Sequence, residues 1–220
     1  MTRDTGKPAA GIVLAAGGGR RLGGRPKALL EYGGSPLVAR AVALARAGGC
    51  GRVHVVTGAG AERARAAGER AGAAPQAWVR NPAWETGMGS SLRAGLASLA
   101  GTGARAALVL LVDQPGITPE AVARVLGAYE GPATLASAAY GGERGHPVLL
   151  GAAHWAGAGE AATGDQGARA YLRERAVRFV ECGDLCDPYD IDTPEDLERL
   201  PGHPAREVAP RDSEREDPSH

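Results

Sequence analysis

The sequence predicts an α/β fold, a mostly parallel sheet covered by helices on both faces. Three observations carry this. Apolar runs at 12–16, 53–57 and 106–112 alternate with stretches of helical periodicity, the pattern of strands joined by crossover helices. The run at 106–112 is apolar almost throughout, as a strand buried on both faces must be. The first run ends in Gly17-Gly18-Gly19, where open parallel sheets place a ligand loop.

Each element has a local reason. Residues 12–16 form the first strand. Pro36 opens a helix whose apolar face is Leu37, Val38, Ala41, Val42, Leu44 and Ala45, with proline favoured at the first turn. A strand at 53–57 follows, then a helix over 61–71 stopped by Gly72, then a short strand at 76–79. The stretch 90–99 carries Leu92, Leu96 and Leu99 on one helical face. Thr118 caps a helix running to Tyr129, with Pro119 and Glu120 in its first turn. Beyond 130 the alternation loosens. Strands at 134–139 and 147–150 flank a loop at 141–145, a helix spans 165–175 with Asp165 able to cap it, and a short strand occupies 177–180. Thr193-Pro194-Glu195-Asp196 starts a last short helix. Residues 1–10 read as a flexible start, 11–200 as one domain and 201–220, charged and proline-containing, as a disordered tail.

Composition narrows the function. The 220 residues carry 25 basic and 25 acidic side chains, so no global field draws the protein to nucleic acid or to a membrane surface. No apolar stretch is long enough to span a bilayer, and without a basic start followed by an apolar run no signal peptide is expected. Three cysteines, Cys50, Cys182 and Cys186, argue against a disulfide scaffold and fit a cytoplasmic protein. Cys182 and Cys186 lack the further ligands of a structural zinc site.

The chemistry concentrates where strands end. After the first strand come three glycines, then Arg20, Arg21, Arg25 and Lys27. Glycines let backbone N–H groups close around an anion, and four cations in one loop suit phosphate groups. A flexible turn is the plain alternative. The dinucleotide fingerprint is absent, because Leu22 stands where its last glycine belongs, and the P-loop ending is missing. Asp113 leaves the strand 106–112 as a magnesium ligand would, or merely caps a turn. Asp190 and Asp192 offer a second carboxylate pair, or a helix cap. The stretch 81–92 contains Asn81, Trp84, a Gly-Met-Gly turn ending at Gly89, then Ser90 and Ser91. It either holds part of a nucleoside or caps a helix while Trp84 fills the core. His146, between Gly145 and Pro147, either contacts an anionic substrate or is structural.

The pattern Leu14-Ala15-Ala16-Gly17, Arg21-x-Gly23, Pro26-Lys27 resembles the amino-terminal signature of nucleotidyltransferases. The segments Asn81 to Leu92, Val112-Asp113-Gln114-Pro115, Arg144-Gly145-His146-Pro147-Val148 and Gly164-Asp165-Gln166-Gly167-Ala168-Arg169 are narrower. Together they look like the family that attaches a nucleotide to molybdopterin, and within it most resemble molybdenum cofactor cytidylyltransferases. The resemblance covers about residues 11 to 200. It implies a Rossmann-like three-layer α/β/α sandwich of the nucleotide-diphospho-sugar transferase type. It implies a CMP group moved from CTP to a phosphorylated acceptor, molybdopterin foremost, with release of pyrophosphate. By it, Lys27, Arg21 and Asp113 form the catalytic set. Leu14, Ala15, Ala16, Gly17, Gly18, Asn81, Gly89, Ser90 and Ser91 join Lys27 in binding nucleotide. His146 and Asp165 meet the acceptor, and Asp113 and Asp192 hold Mg²⁺. A molybdoenzyme or a chaperone would be the partner that receives the product. Two alternatives stay open: a transferase using GTP or another triphosphate with a sugar phosphate or specialised metabolite, and a non-catalytic nucleotide- or cofactor-binding protein. A redox enzyme is a lesser one.

Overall fold

The computed structural model describes residues 9–198. In chain order the elements are β1 (Ala9–Ala15), β2 (Glu31–Tyr32), β3 (Ser35–Pro36), α1 (Leu37–Ala47), β4 (Arg52–Thr57), α2 (Ala61–Arg70), β5 (Ala77–Arg80), α3 (Met88–Ala97), β6 (Ala106–Leu111), α4 (Pro119–Leu126), β7 (Leu135–Tyr140), β8 (Glu143–Gly151), α5 (Trp155–Ala161), α6 (Arg169–Arg173), β9 (Arg178–Glu181) and α7 (Pro194–Glu198). Seven strands make one sheet in the order β5-β4-β1-β6-β8-β7-β9, and β2 and β3 pair separately.

The pairs β5–β4, β4–β1, β1–β6 and β7–β9 are parallel, whereas β8 runs against both β6 and β7. The two faces follow from the two-residue period of a strand. In β1, Val13 and Ala15 face the layer of α1 and α4, while Ile12 and Leu14 face α3 and α6. In β6, Leu108 and Leu110 take the first side and Ala107 and Val109 the second. Both faces are therefore covered, and the fold is a three-layer α/β/α sandwich around a mostly parallel sheet, as expected.

Four expectations need correction. Ala9 and Ala10 are buried in β1, so the flexible start cannot extend to residue 10; pairing with Ala106 and Ala107 of β6 orders them. Residues 1–8 and the tail 201–220 lie outside the described residues. The loop at 141–145 shrinks to Gly141–Gly142, with φ of 59° and 84°, the positive values a tight hairpin needs. Residues 143–146 instead extend β8, with Glu143 opposite Tyr140 and Arg144 opposite Ala139. The helix foreseen over 165–175 begins only at Arg169, because Gly167 takes φ 53° and ψ −130° and interrupts it. Asp165 therefore sits in a single 3₁₀ turn, not at the cap of an α-helix.

The remaining signals behave as their chemistry dictates. Thr118 accepts a hydrogen bond from the Ala121 N–H at 3.3 Å, and Pro119 occupies the first helical turn of α4. Leu108 is fully buried in a strand flanked by neighbours on both sides. Leu108→Ala is expected to lower unfolding stability by about 2–5 kcal/mol, since the layered packing cannot collapse into the space. Chemical denaturation followed by far-UV circular dichroism measures this.

Candidate active site

From β1 the chain moves outward to β4 and β5, and then returns to the other side of β1 as β6. Reversal of strand order opens a crevice beyond the carboxyl ends of β1 and β6. Leu14 to Gly19 enters that crevice from β1, and Val112 and Asp113 enter it from β6. The resulting cavity measures about 360 Å³.

The loop after β1 is shaped by glycine. The Gly19 carbonyl accepts from Leu22 N–H at 2.9 Å and Gly24 N–H at 3.0 Å. Gly19 has φ 61°, and a Cβ there would lie 1.9 Å from the Arg25 carbonyl oxygen. Only glycine lets the loop fold back so tightly. The fold-back leads into Pro26 and Lys27, which opens a 3₁₀ turn.

Lys27 is the centre of the site. Its Nζ donates to Asp113 Oδ2 at 2.6 Å and to Asp192 Oδ1 at 2.6 Å. The Lys27 and Asp113 side chains are only 16% and 19% exposed, whereas Asp192 is 44% exposed. Burial alone would lower the lysine pKa, but the two carboxylates, Asp113 before Asp192, reverse this and hold it above its ordinary value. Arg21 lies 3.6 Å from Asp192 Oδ2 and is 75% exposed, so this outer contact is weak. The segment carrying Asp192 is itself fixed. Ile191 N–H donates to the Asp113 carbonyl at 2.9 Å, and Asp196 Oδ2 accepts from the N–H groups of Asp192 and Thr193 at 3.0 and 2.8 Å.

Two carboxylates converging on one cation also fit a magnesium ion. Mg²⁺ prefers hard oxygen ligands and keeps positions for substrate phosphates and water. No cluster of three or more histidine, cysteine or carboxylate side chains capable of holding a metal exists among the described residues. A metal at Asp113 and Asp192 therefore needs ligand oxygens from a bound phosphate or water.

The structure brings together Leu14, Ala16, Gly17, Gly18, Arg21, Lys27, Ser91, Asp113, Asp165 and Asp192 around this cavity. It does not bring Ala15, Asn81, Gly89 or Ser90 to the wall. Ala15 points into the core. Asn81 is buried, and its Nδ2 donates to Ser90 Oγ at 2.8 Å and Ser91 Oγ at 3.0 Å. Ser90 Oγ in turn donates to the carbonyls of Ala83 and Gly87. These polar groups are consumed in shaping the turn before α3. Gly89 sits so close to Ala162 that a Cβ would fall 2.6 Å from its carbonyl carbon. Trp84, which composition alone allowed as a core plug, is half-buried at the cavity wall beside Gly18 and Gly58. Glu85, Gly87 and Met88 also border the cavity; their signal was the segment Asn81 to Leu92 as a whole, with its Gly-Met-Gly turn.

His146 lies elsewhere, in a second cavity of about 260 Å³ that shares Leu14, Met88 and Leu111 with the first. Asp165 and His146, both expected at the acceptor, thus border different cavities. Gln114 Nε2 donates to Asp190 Oδ1 at 2.8 Å, so Asp190 faces the second cavity while Asp192 turns to Lys27. Burial, then the nearby Asp113 charge, pushes the Asp190 carboxyl up from its ordinary range. Burial first, then Arg169 and Arg144, lowers the half-buried His146 to about 4.

A mostly parallel sheet with a glycine loop, a lysine and two carboxylates at its switch point defines an α/β nucleotidyltransferase. The chain belongs to the MobA-like NTP transferase family, whose model matches residues 11–179. It is 40% identical over 207 residues to nicotine blue oxidoreductase of Paenarthrobacter nicotinovorans, covering 90% of this chain and 98% of that one. The Mycobacterium sp. strain JC1 homologue of Rv0371c superposes with a TM-score of 0.73 at 31% identity, covering 88% of this chain and 94% of that one. Mycobacterium tuberculosis Rv0371c in complex with manganese gives 0.67 at 29% identity, covering 87% and 97%. Among the described residues no helix is long and apolar enough to cross a membrane.

The depressed His146 pKa has a stability consequence. As pH falls below 6.5 the unfolded chain takes up the proton first, so stability present above 6.5 is lost progressively toward pH 4. His146→Gln is expected to flatten that slope, measured as the urea midpoint between pH 7 and about 4.

Proposed function

We propose that the protein moves a CMP group from CTP to a phosphorylated small molecule, releasing pyrophosphate, with Mg²⁺ as cofactor. The observation that carries this reading is Lys27 of the glycine loop, held by Asp113 and Asp192 where the strand order reverses. CTP and a molybdopterin acceptor rest on the resemblance of the motif set to molybdenum cofactor cytidylyltransferases. The manganese complex of Rv0371c supports a divalent metal in this family.

An acceptor phosphate oxygen attacks the α-phosphorus of the nucleotide. The new P–O bond forms as the bond to the β-phosphate breaks, and pyrophosphate carries away the electron pair. A phosphate nucleophile is already ionised near neutrality, so no general base is required. The main obstacle is charge, because both reactants are anions. Loop N–H groups and Arg21 bind the triphosphate, and Lys27 neutralises the charge growing on the leaving group. Asp113 and Asp192 would hold Mg²⁺, which supplies further charge neutralisation on the phosphates when bound. The crevice walls keep nucleophile and leaving group in line. A molybdoenzyme or its chaperone would take up the product.

A second reading has one specific observation behind it: the 40% identical relative carries an oxidoreductase name. A reductase on this fold would bind a nicotinamide nucleotide in the same crevice, although the glycine loop lacks the dinucleotide fingerprint. Screening the four ribonucleoside triphosphates with Mg²⁺ for acceptor-dependent pyrophosphate release, beside an assay of NADH and NADPH oxidation, separates the readings. Release with CTP and a molybdopterin-type acceptor is the expected result. Nicotinamide oxidation without pyrophosphate release would overturn it.

Asp113→Asn is expected to lower pyrophosphate release by about 100-fold or more while the chain stays folded, in line with removal of a group that acts on transition-state charge. Lys27→Ala should cost at least about tenfold in kcat/KM, for the same reason. Steady-state release assays on variants with unchanged circular dichroism check both.

A further inference from the structure

The second cavity has walls of opposed character. Leu14, Val109, Leu111 and Val148 give it an apolar floor. Arg144, from the start of β8, and Arg169, the first residue of α6, stand over it with His146. Neither guanidinium has an ion-pair partner among the described residues. The acidic groups at this cavity do not supply one: Asp190 is turned to Gln114, and Glu143 is exposed at the rim. Both arginines line the same cavity as His146, and both add positive charge at its ring. The His146 imidazole is neutral near pH 7 and adds one donor and one acceptor without opposing an anion.

Size and shape limit the occupant. At about 260 Å³ the cavity lies below the range of roughly 300–1,000 Å³ that holds drug-sized ligands. Its floor leaves sugar hydroxyls without partners, whereas a flat ring fills it. Arginine pairs planar carboxylates or phosphates through two parallel N–H groups.

We propose that this cavity binds a small planar apolar body, one or two fused rings, carrying an anionic group held between Arg144 and Arg169. The wall of Leu14, Met88 and Leu111 that it shares with the first cavity puts this ligand beside the phosphate loop. Its role as the acceptor rests on the transfer reading above; its binding does not.

The test therefore contains no nucleotide. The full chain is titrated calorimetrically, at low ionic strength, with 2-naphthoate and with 2-naphthamide, which share one body and differ in charge. Naphthoate should bind at least about tenfold more tightly, the difference expected of one charge-assisted contact. Arg144→Gln/Arg169→Gln should abolish the preference, while Arg144→Lys/Arg169→Lys, matched in melting temperature, should keep part of it. Lys27→Ala should leave it intact. Equal affinities, no binding of naphthoate, or a preference that survives the double glutamine variant would overturn the proposal. So would a preference lost in Lys27→Ala, which would place the anion at the phosphate loop.

Discussion

Lys27 holds the site together. Its ammonium joins residues 86 and 165 positions away in sequence, and no other described contact links the glycine loop, the end of β6 and the segment before α7 through one atom. A half-buried lysine would be costly alone, and two half-buried or exposed carboxylates at this distance would repel. Each charge is tolerable only because the others are present. The three segments are thereby held in one arrangement before any ligand arrives, and such preorganisation lets binding energy serve charge neutralisation instead of ordering.

That arrangement depends on the sheet. β1 and β6 are adjacent and parallel although ninety residues separate them. Their carboxyl ends deliver the glycine loop and Asp113 side by side. The buried rows Val13–Leu110 and Ile12–Val109 keep that register, since a slip of one residue would exchange the two faces. The carbonyl of Asp113 accepting from Ile191 then carries the same precision to the last segment.

The sequence made the parallel half legible because its signals are local. A continuous apolar run, glycines after a strand and a Thr-Pro-Glu helix start each have one physical meaning, and β1, β6 and α4 follow it. Direction was not legible. The apolar residues 147–150 announce a strand, but nothing in them says that β8 runs antiparallel or begins at Glu143. Side-chain orientation was equally hidden. Asn81, Ser90 and Ser91 share one polar composition, yet only Ser91 reaches the cavity, because Asn81 and Ser90 spend their hydrogen bonds inward. Asp190 and Asp192 were indistinguishable by spacing and separate only through partners 76 and 165 residues away.

The reversed strand has an effect on how this scaffold can change. Because β8 runs against β6, its first residues, not its last, stand at the ligand edge of the sheet. The hairpin that precedes them is a two-glycine turn whose N–H groups both donate to the Glu181 carboxylate at 3.1 Å. Hairpin tips tolerate insertion better than buried strands do. Lengthening this tip would remodel the roof over Arg144 and His146 while the glycine loop, Lys27 and the two carboxylates bonded to it kept their supports. The fold thus separates a fixed phosphate-handling half from an exchangeable half, and new small-molecule selectivity can be grafted at one turn.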